Sequence, residues 1–327
     1  MQRPPFPAPF RGLVARAREL GRARWREALL AASAVVGLLE LAGQLYFSHA
    51  APRLREWMAL RPTVQQLAAG DALIVVSPRW AEPNARLAFG DGLMPLRHVA
   101  RADDSSFEHA LEIAILGQRA PELRGWQLES EQQQGSFLLR RWRNPTLEPV
   151  LYDFLAHAEP PALRVALESG GESNECEYGP ARVSNGDLHG HPTFPSSRFS
   201  CSSRDWQFVG RTVIEDQNYE PRACIWAHPP GRGEVRLRFA DVPIGAKIRG
   251  YAGLPYFFER EQRGADLELE VSVAGEPIGN YRHSDGEGWK PFEFSTQRFA
   301  GQRQPVEFRV RAAKAWQREF CFQAEAR

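Results

Sequence analysis

The sequence lacks the short motifs by which most enzymes are identified. It contains no GxSxG, HExxH, Walker or GxGxxG pattern, and no two cysteines are spaced as CxxC. Those patterns carry nucleophilic, zinc-hydrolytic, phosphate-binding and dinucleotide-binding chemistry, and CxxC pairs commonly ligate zinc. Their absence removes the usual sequence evidence for a catalytic activity, and we expect no cofactor.

Lysine is also scarce. The chain has three lysines, and arginine supplies all its other basic side chains, a bias typical of high-GC bacterial genomes. The formal net charge is +1, but the first 27 residues carry seven arginines and two acids, so the remainder of the chain is mildly acidic. Nucleic-acid binding needs a basic surface, and the sequence therefore argues against a nucleic-acid partner.

One long hydrophobic run, residues 28–47, matches the length of about 20 residues that a bilayer-spanning helix needs. The arginines before it predict, by the positive-inside rule, that residues 1–27 form a cytoplasmic basic segment and that the chain after the span is exported. We therefore expect a single-pass protein of the bacterial inner membrane, with a transmembrane helix at residues 28–50 and the bulk of the chain in the periplasm. A signal peptide cleaved after Ala50 is the alternative.

Four small or polar residues fall on one stripe of this helix, with spacings of four, three and four residues: Ser33, Gly37, Glu40 and Gln44. A carboxyl group within a membrane span is costly, and small residues allow a second helix to approach closely. The stripe predicts a contact with a membrane-protein partner or a homodimer. The alternative is a monomer in which Glu40 is protonated.

Cysteine is absent from the first 175 residues, and all four cysteines follow the span. An even number of cysteines in an oxidising compartment predicts two disulfides. Of the three possible pairings we choose Cys176–Cys201, which brackets a polar loop, and Cys224–Cys321, which would tie an early strand to the last one.

Residues 51–148 predict a small α/β domain. The β-branched run at 72–77 is typical of a buried strand, whereas the apolar spacing of 105–117, with serine at one end and glycine at the other, favours a helix. We also predict a helix at 52–69 and a hairpin within 126–143.

From residue 149 to residue 327 the pattern changes to short alternating runs separated by Gly, Pro and Asp turns. In 234–239 and 266–273 apolar and charged residues alternate with a period of two, which is typical of strands with one solvated face. The predicted fold class is a single transmembrane helix plus an α+β ectodomain, in which the small α/β domain precedes an antiparallel β-sandwich of the jelly-roll type.

Residues 234–323 carry a resemblance to a known family. They contain a strand, the turn at 241–245, the strand at 267–273, Gly288 and Trp289 ahead of a strand, the run at 306–310 and the terminal run at 319–322. Together they resemble the galactose-binding-type jelly roll found in many carbohydrate-binding modules. The resemblance implies a two-sheet sandwich that binds a glycan.

The α/β part carries a second resemblance. Gly70 and Asp71 before a strand, the run 77–80 after it, and the later run 152–154 are similar to exported soluble segments of bacterial glycosyltransferases that use lipid-linked sugars. Such transferases span the membrane several times, so a chain with one span would not carry their membrane-embedded catalytic machinery.

A candidate ligand site lies at a predicted hairpin tip and comprises His283, Asp285, Glu287 and Trp289. An aromatic face binds the C–H face of a sugar, and carboxylates accept hydrogen bonds from its hydroxyls. We predict that these residues contact a glycan; the alternative is a polar hairpin tip ahead of a core tryptophan.

A candidate metal site comprises Asp187, His189 and His191, which alternate along one loop. Alternate residues of an extended segment share a side, so the three side chains could converge on a metal ion. No fourth ligand is identifiable, and a solvated loop is the alternative.

Two further segments attract attention. One follows the predicted strand at 72–77, where α/β sheets often bind ligands, and contains Trp80, Glu82, Asn84 and Arg86. The other, the apolar run at 254–258, does not alternate and predicts partial exposure at a ligand rim or an interface.

We therefore predict a membrane-anchored, non-catalytic envelope protein that binds a glycan or glycoconjugate, or scaffolds a membrane complex that handles one. One alternative is a hydrolase or transferase that uses paired carboxylates. Another is a purely structural subunit of a membrane complex.

Overall fold

The computed structural model describes residues 25, 27–46, 51–68, 70, 72–186 and 192–327. The helices are α1 Glu27–Tyr46, α2 Leu54–Leu67, α3 Glu82–Phe89, α4 Leu96–Val99 and α5 Tyr256–Glu261. The strands are β1 Leu73–Ser77, β2 His109–Ala114, β3 Gln127–Gln134, β4 Phe137–Arg143, β5 Tyr152–Asp153, β6 Leu163–Ser169, β7 Glu172–Glu175, β8 Glu177–Pro180, β9 Ser184–Asn185, β10 Thr193–Phe194, β11 Ser197–Ser200, β12 Phe208–Glu215, β13 Pro221–Ala227, β14 Glu234–Pro243, β15 Lys247–Gly253, β16 Leu267–Val273, β17 Glu276–His283, β18 Lys290–Ser295, β19 Arg303–Ala312 and β20 Cys321–Ala326.

Helix α1 coincides with the predicted span and is long and apolar enough to cross a membrane, with a mean hydropathy of 1.8. Its side chains are not buried against the rest of the chain. The predicted stripe of Ser33, Gly37, Glu40 and Gln44 lies within α1 and is exposed, and the Ser33 hydroxyl donates a hydrogen bond to the Leu29 carbonyl at 2.9 Å. The last predicted residues of the span, 47–50, lie outside the described residues.

The α/β unit is built on a four-stranded sheet in the order β1-β2-β4-β3, in which β1 and β2 are parallel and the other pairs antiparallel. Helix α2 buries Trp57, Leu60 and Val64, whose spacing places them on one helical face. The Trp57 ring meets the rings of Phe137 and Phe89 edge-on at centroid distances of 4.7 and 6.1 Å. Helices α2 and α3 therefore share one core on one face of the sheet.

The helix predicted at 105–117 is wrong, because this segment forms the central strand β2. Its residues Ala110, Leu111, Ile113 and Ala114 are buried on both sides of the sheet. The sequence of a strand that is covered on both faces is a nearly continuous run of apolar residues. A few polar residues within such a run can produce the spacing of an amphipathic helix. The predicted strand at 72–77, the helix at 52–69 and the hairpin within 126–143 are confirmed as β1, α2 and β3–β4.

The C-terminal part is a jelly-roll-type β-sandwich of two antiparallel sheets, as predicted. The larger sheet has the order β18-β15-β20-β13-β12-β11-β8, with β5 also paired to β20, and the smaller has the order β17-β16-β19-β14-β6-β7. One continuous apolar core lies between them. The period-two alternation seen in the sequence is the inward and outward alternation of these strands.

Salt bridges and hydrogen bonds join the α/β unit to the sandwich. The Asp103 carboxylate lies 2.8 Å from Arg249 Nη2 and accepts a hydrogen bond from the Tyr251 hydroxyl at 3.0 Å. Glu148 lies 3.2 Å from Arg249 and 3.3 Å from Arg327. We call these five residues the joint.

The two predicted disulfides are confirmed, Cys176–Cys201 across 25 residues and Cys224–Cys321 across 97 residues. In the chain-entropy model the loop of 97 residues contributes about 4.7 kcal/mol and the loop of 25 residues about 3.5 kcal/mol.

We predict that Cys224→Ala/Cys321→Ala lowers the free energy of unfolding by about 1 kcal/mol more than Cys176→Ala/Cys201→Ala does, measured by denaturant titration of the full chain in detergent. An equal or reversed order would contradict the loop-length argument.

Candidate ligand-binding cleft

His283, one of the four residues predicted to bind a glycan, lies in a buried polar network with Glu259 and Tyr281. His283 ends β17, and neither it nor Glu259 is exposed to solvent. The His283 Nε2 atom lies 2.7 Å from the Glu259 carboxylate, and its Nδ1 atom lies 3.0 Å from the Tyr281 hydroxyl. Both ring nitrogens are thus engaged within the protein.

Two of the other three predicted residues also have polar partners within the protein, whereas Trp289 Nε1 is buried with no hydrogen-bond partner among the described residues. Asp285 accepts a hydrogen bond from the Gly264 amide at 2.8 Å, and Glu287 lies 2.7 Å from the Lys290 ammonium. Trp289 is half-buried and packs on the apolar cluster around the Cys224–Cys321 disulfide. A direct ligand contact by His283, Asp285, Glu287 and Trp289 stays a prediction; in the structure Asp285 contacts Arg318 of the loop before β20.

The predicted metal ligands Asp187, His189 and His191 lie outside the described residues. Within the described part of the chain, no group of three or more His, Cys, Asp or Glu side chains could hold a metal ion.

The segment after β1 places its polar residues on the surface. Trp80 and Asn84 are exposed, Glu82 is half-buried, and Arg86 pairs with Asp91 at 2.9 Å. The apolar run at 254–258 enters helix α5, and of its residues Leu254 and Phe258 are buried while Phe257 is partly exposed.

A cleft of about 720 Å³ opens where three loops of the larger sheet meet. Trp206 precedes β12 and His228 follows β13, and the loop before β20 contributes Trp316, Gln317 and Glu319. Strands β12, β13 and β20 are neighbours in the sheet. We define the tryptophan cleft by Arg204, Trp206, His228, Trp316, Gln317 and Glu319.

Aromatic rings form much of this surface. Trp316 is 60% exposed, whereas Trp206 is half-buried. The Trp206 carbonyl accepts a hydrogen bond from Trp226 Nε1 at 3.2 Å, which fixes the position of this residue. The rings of Trp206 and His228 lie 4.4 Å apart, and the Arg204 guanidinium lies 5.4 Å from the Trp206 ring. The cleft therefore presents one anchored and one open indole.

Two buried titratable groups of the cleft, Glu319 and His228, carry little charge at neutral pH. Burial raises the pKa of Glu319 to about 8 and lowers the pKa of His228 to about 4, so the carboxyl is mostly protonated and the imidazole neutral. Glu319 Oε2 and Gln317 Oε1 are buried and have no hydrogen-bond partner among the described residues. Unsatisfied buried polar atoms are uncommon and mark places where a ligand or water can bind.

Arg318 fixes the loop that carries Gln317 and Glu319. Its side chain is fully buried, with Nη1 2.6 Å from Asp285 and 2.8 Å from the Ala265 carbonyl. A Cβ atom at Gly264 would overlap the Arg318 guanidinium, so only glycine fits beneath it. The predicted hairpin tip thus supports the cleft from below through Arg318.

Sequence reasoning missed Trp316, Gln317 and Glu319 as site residues. It used the 319–322 run only as part of the resemblance to the jelly-roll family and did not single out Trp206. The available signal was a tryptophan within a polar loop next to the terminal strand, since an indole is rarely left in such a loop without a contact to make.

A second cleft, of about 630 Å³, lies between the α/β unit and the sandwich. Asp153 and Glu325 face each other across the β5–β20 pair, and burial raises the pKa of both. Asp153 accepts hydrogen bonds from the Leu155 and Ala156 amides, and Glu325 pairs with Arg327. Because both carboxyl groups have such roles in the fold, we assign no ligand to this cleft.

No family model matches the chain, and no curated protein matches it. Three similar solved structures are CBM51 from Clostridium perfringens GH95 in complex with methyl-galactose (11% identity, TM-score 0.27, 36% of this chain and 81% of that chain covered), Caldicellulosiruptor saccharolyticus CBM27-1 in complex with mannohexaose (9%, 0.27, 36% and 80%) and TmCBM61 in complex with beta-1,4-galactotriose (11%, 0.26, 54% and 95%). All three are carbohydrate-binding modules, the class that the sequence resemblance named. The glycosyltransferase similarity finds no support in these three. TM-scores this low carry no inference about function.

The raised pKa of Glu319 predicts a pH-dependent stability. The folded state binds this proton more tightly than the unfolded state, whose pKa is near the ordinary 4.5, so the free energy of unfolding falls as pH rises from about 4.5 to about 8. We predict that Glu319→Gln removes a decrease on the order of 4 kcal/mol across this range, measured by denaturant titration at several pH values.

The exposed Glu215, at the end of β12, provides the matched control. Glu215→Gln should leave the pH profile of stability as in the wild type. A Glu319→Gln profile that parallels the wild type would show that this carboxyl is ionised in the folded protein.

Proposed function

We propose that this protein binds a glycan in the tryptophan cleft and that its role is non-catalytic. One observation carries the proposal: an open indole, an anchored indole and unpartnered buried polar atoms share one cleft. A sugar has an apolar C–H face and a rim of hydroxyls, so it fits a surface that offers both kinds of contact.

The expected roles of the residues follow from their chemistry. Trp316 and Trp206 would stack on the sugar ring. The Gln317 carbonyl would accept a hydrogen bond from a hydroxyl, and the protonated Glu319 carboxyl would donate one or accept one. A ligand that forms hydrogen bonds with these buried atoms would offset the desolvation cost that they carry without a partner.

We further propose that α1 anchors the protein in the bacterial inner membrane, with residues 1–27 cytoplasmic and the ectodomain periplasmic. The apolar helix and the two disulfides are compatible with an anchored, exported protein. The stripe of Ser33, Gly37, Glu40 and Gln44 would bind a membrane-protein partner, such as a subunit of a glycan-handling complex, or a second copy of the chain.

The glycan proposal is tested with Trp316→Ala. We predict that this change weakens binding about tenfold, because it removes one stacking surface worth about 1–1.5 kcal/mol. Binding would be measured by calorimetry on the full chain in detergent, with ligands chosen from a panel of galactose, mannose and N-acetylglucosamine oligosaccharides.

Trp80→Ala is the matched control, since Trp80 is 56% exposed but lies in the α/β unit. It should leave the affinity unchanged. Equal losses in the two variants, or no binding to any member of a broad envelope-glycan panel, would contradict glycan binding at this cleft.

The partner proposal is tested with Glu40→Leu/Gln44→Leu. We predict that a polytopic membrane protein, or a second copy carrying a different tag, co-purifies in detergent with the wild type and is lost with this variant. A carboxyl and an amide within a span need a polar contact, and leucine removes that need.

Val35→Leu/Ala42→Leu places two leucines on the opposite face of α1 and is the control. It should retain the partner. If both variants retain it, or if nothing co-purifies with the wild type, the stripe does not recruit a partner.

A further inference from the structure

Helices α2 and α3 expose large apolar side chains. Leu54 and Met58, one turn apart on α2, are 39% and 58% exposed, and Leu87 on α3 is 71% exposed. Residues four apart lie on one helical face, so Leu54 and Met58 form a continuous strip.

The exposed apolar residues of α2 and α3 lie outside the core that the two helices share. Helices α2 and α3 bury their other faces in one core, on one side of the four-stranded sheet, and pack against each other. On α2, Met58 lies away from the buried stripe and Leu54 lies at its edge; on α3, Leu87 lies opposite the buried residues. We call the surface formed by Leu54, Met58 and Leu87 the helix face.

The helix face is bordered by unpaired positive charge. Arg55 and Arg61 on α2 are exposed, and no carboxylate among the described residues lies within 4.0 Å of either guanidinium. The nearest acid in sequence, Glu56, accepts a hydrogen bond from the Arg53 amide at 3.0 Å. A surface of exposed Leu and Met side chains bordered by arginines has the composition of helices that lie on anionic bilayers.

The chain holds this face close to the end of α1. Helix α1 ends at Tyr46 and α2 begins at Leu54, so the connection is residues 47–53. Even fully extended, seven residues reach about 25 Å, which is less than the thickness of the bilayer with its headgroups. The first turn of α2, which carries Leu54 and Met58, is therefore tethered near the interface that α1 leaves.

We propose that the helix face rests on the anionic bilayer surface beside α1, with Leu54, Met58 and Leu87 at the headgroup–acyl boundary and Arg55 and Arg61 on lipid phosphates. This inference rests on the proposed anchoring of α1. It assigns a lipid surface to the α/β unit, separate from the glycan cleft of the sandwich.

Site-directed spin labels on the full chain test this contact. The four native cysteines form two disulfides, so an introduced cysteine is the one free thiol. Met58→Cys and Leu87→Cys report on the helix face, Val183→Cys, 56% exposed in the sandwich, is the aqueous control, and Leu39→Cys reports on α1. The labelled chains would be reconstituted in nanodiscs of phosphatidylcholine and phosphatidylglycerol.

Two accessibilities of each spin label are measured, one to oxygen, which partitions into lipid, and one to a water-soluble nickel chelate. The readout is the ratio of the first to the second. We expect this ratio at positions 58 and 87 to exceed that at 183 by about threefold or more, as for interfacial residues. Arg55→Ser/Arg61→Ser, or discs of phosphatidylcholine alone, should lower the ratio at 58 toward the control.

Each contrary outcome has a distinct meaning. If the label at 39 is as accessible to nickel as that at 183, α1 does not span and the anchoring proposal fails. If the label at 39 is deep but those at 58 and 87 match 183, the lipid contact is overturned while anchoring stands. If positions 58 and 87 exclude both reagents, a protein covers the helix face, which also overturns the lipid contact.

Discussion

Strand β20 lies between β13 and β15 in the larger sheet, and the Cys224–Cys321 disulfide fixes its first residue to β13. Its other end leads to Arg327, which lies 3.3 Å from Glu148 in the joint. The cleft loop before β20 and the contacts of Arg327 in the joint therefore both depend on the register of this one strand. A shift by one residue would turn every side chain of β20 to the opposite face of the sheet.

The loop before β20 has unfavourable features that its surroundings compensate. Gln317 has a positive φ of 57°, Glu319 loses solvation, and Arg318 is a fully buried cation. A buried cation is stabilised by pairing and hydrogen bonding, which Asp285 and the Ala265 carbonyl provide at Nη1, while Nε and Nη2 have no hydrogen-bond partner among the described residues. Local strain and unsatisfied groups that the fold holds in place are typical of binding sites, and so they support the assignment of the cleft.

The sequence predicted what depends on local patterns. Period-two alternation predicted the sandwich strands, and the position of cysteines at strands and around a loop predicted both disulfides. Strand β2 was missed because burial on both faces removes the alternation. The cleft was missed because Trp206 and Trp316 are over a hundred residues apart in the sequence and meet only through the strand order β20-β13-β12, which no local pattern contains.

The cleft loop and the joint lie at opposite ends of β20. Its six residues extend about 20 Å, from the cleft loop at Cys321 to the joint beyond Ala326. If α2 and α3 rest on the bilayer, the joint holds the sandwich, and with it the cleft, in a fixed position relative to the membrane-bound α/β unit. The ion pairs of Asp103, Glu148, Arg249 and Arg327 form a network, which resists bending better than isolated surface pairs would. A glycan would then bind at a set distance from the membrane, where a partner of α1 could act on it.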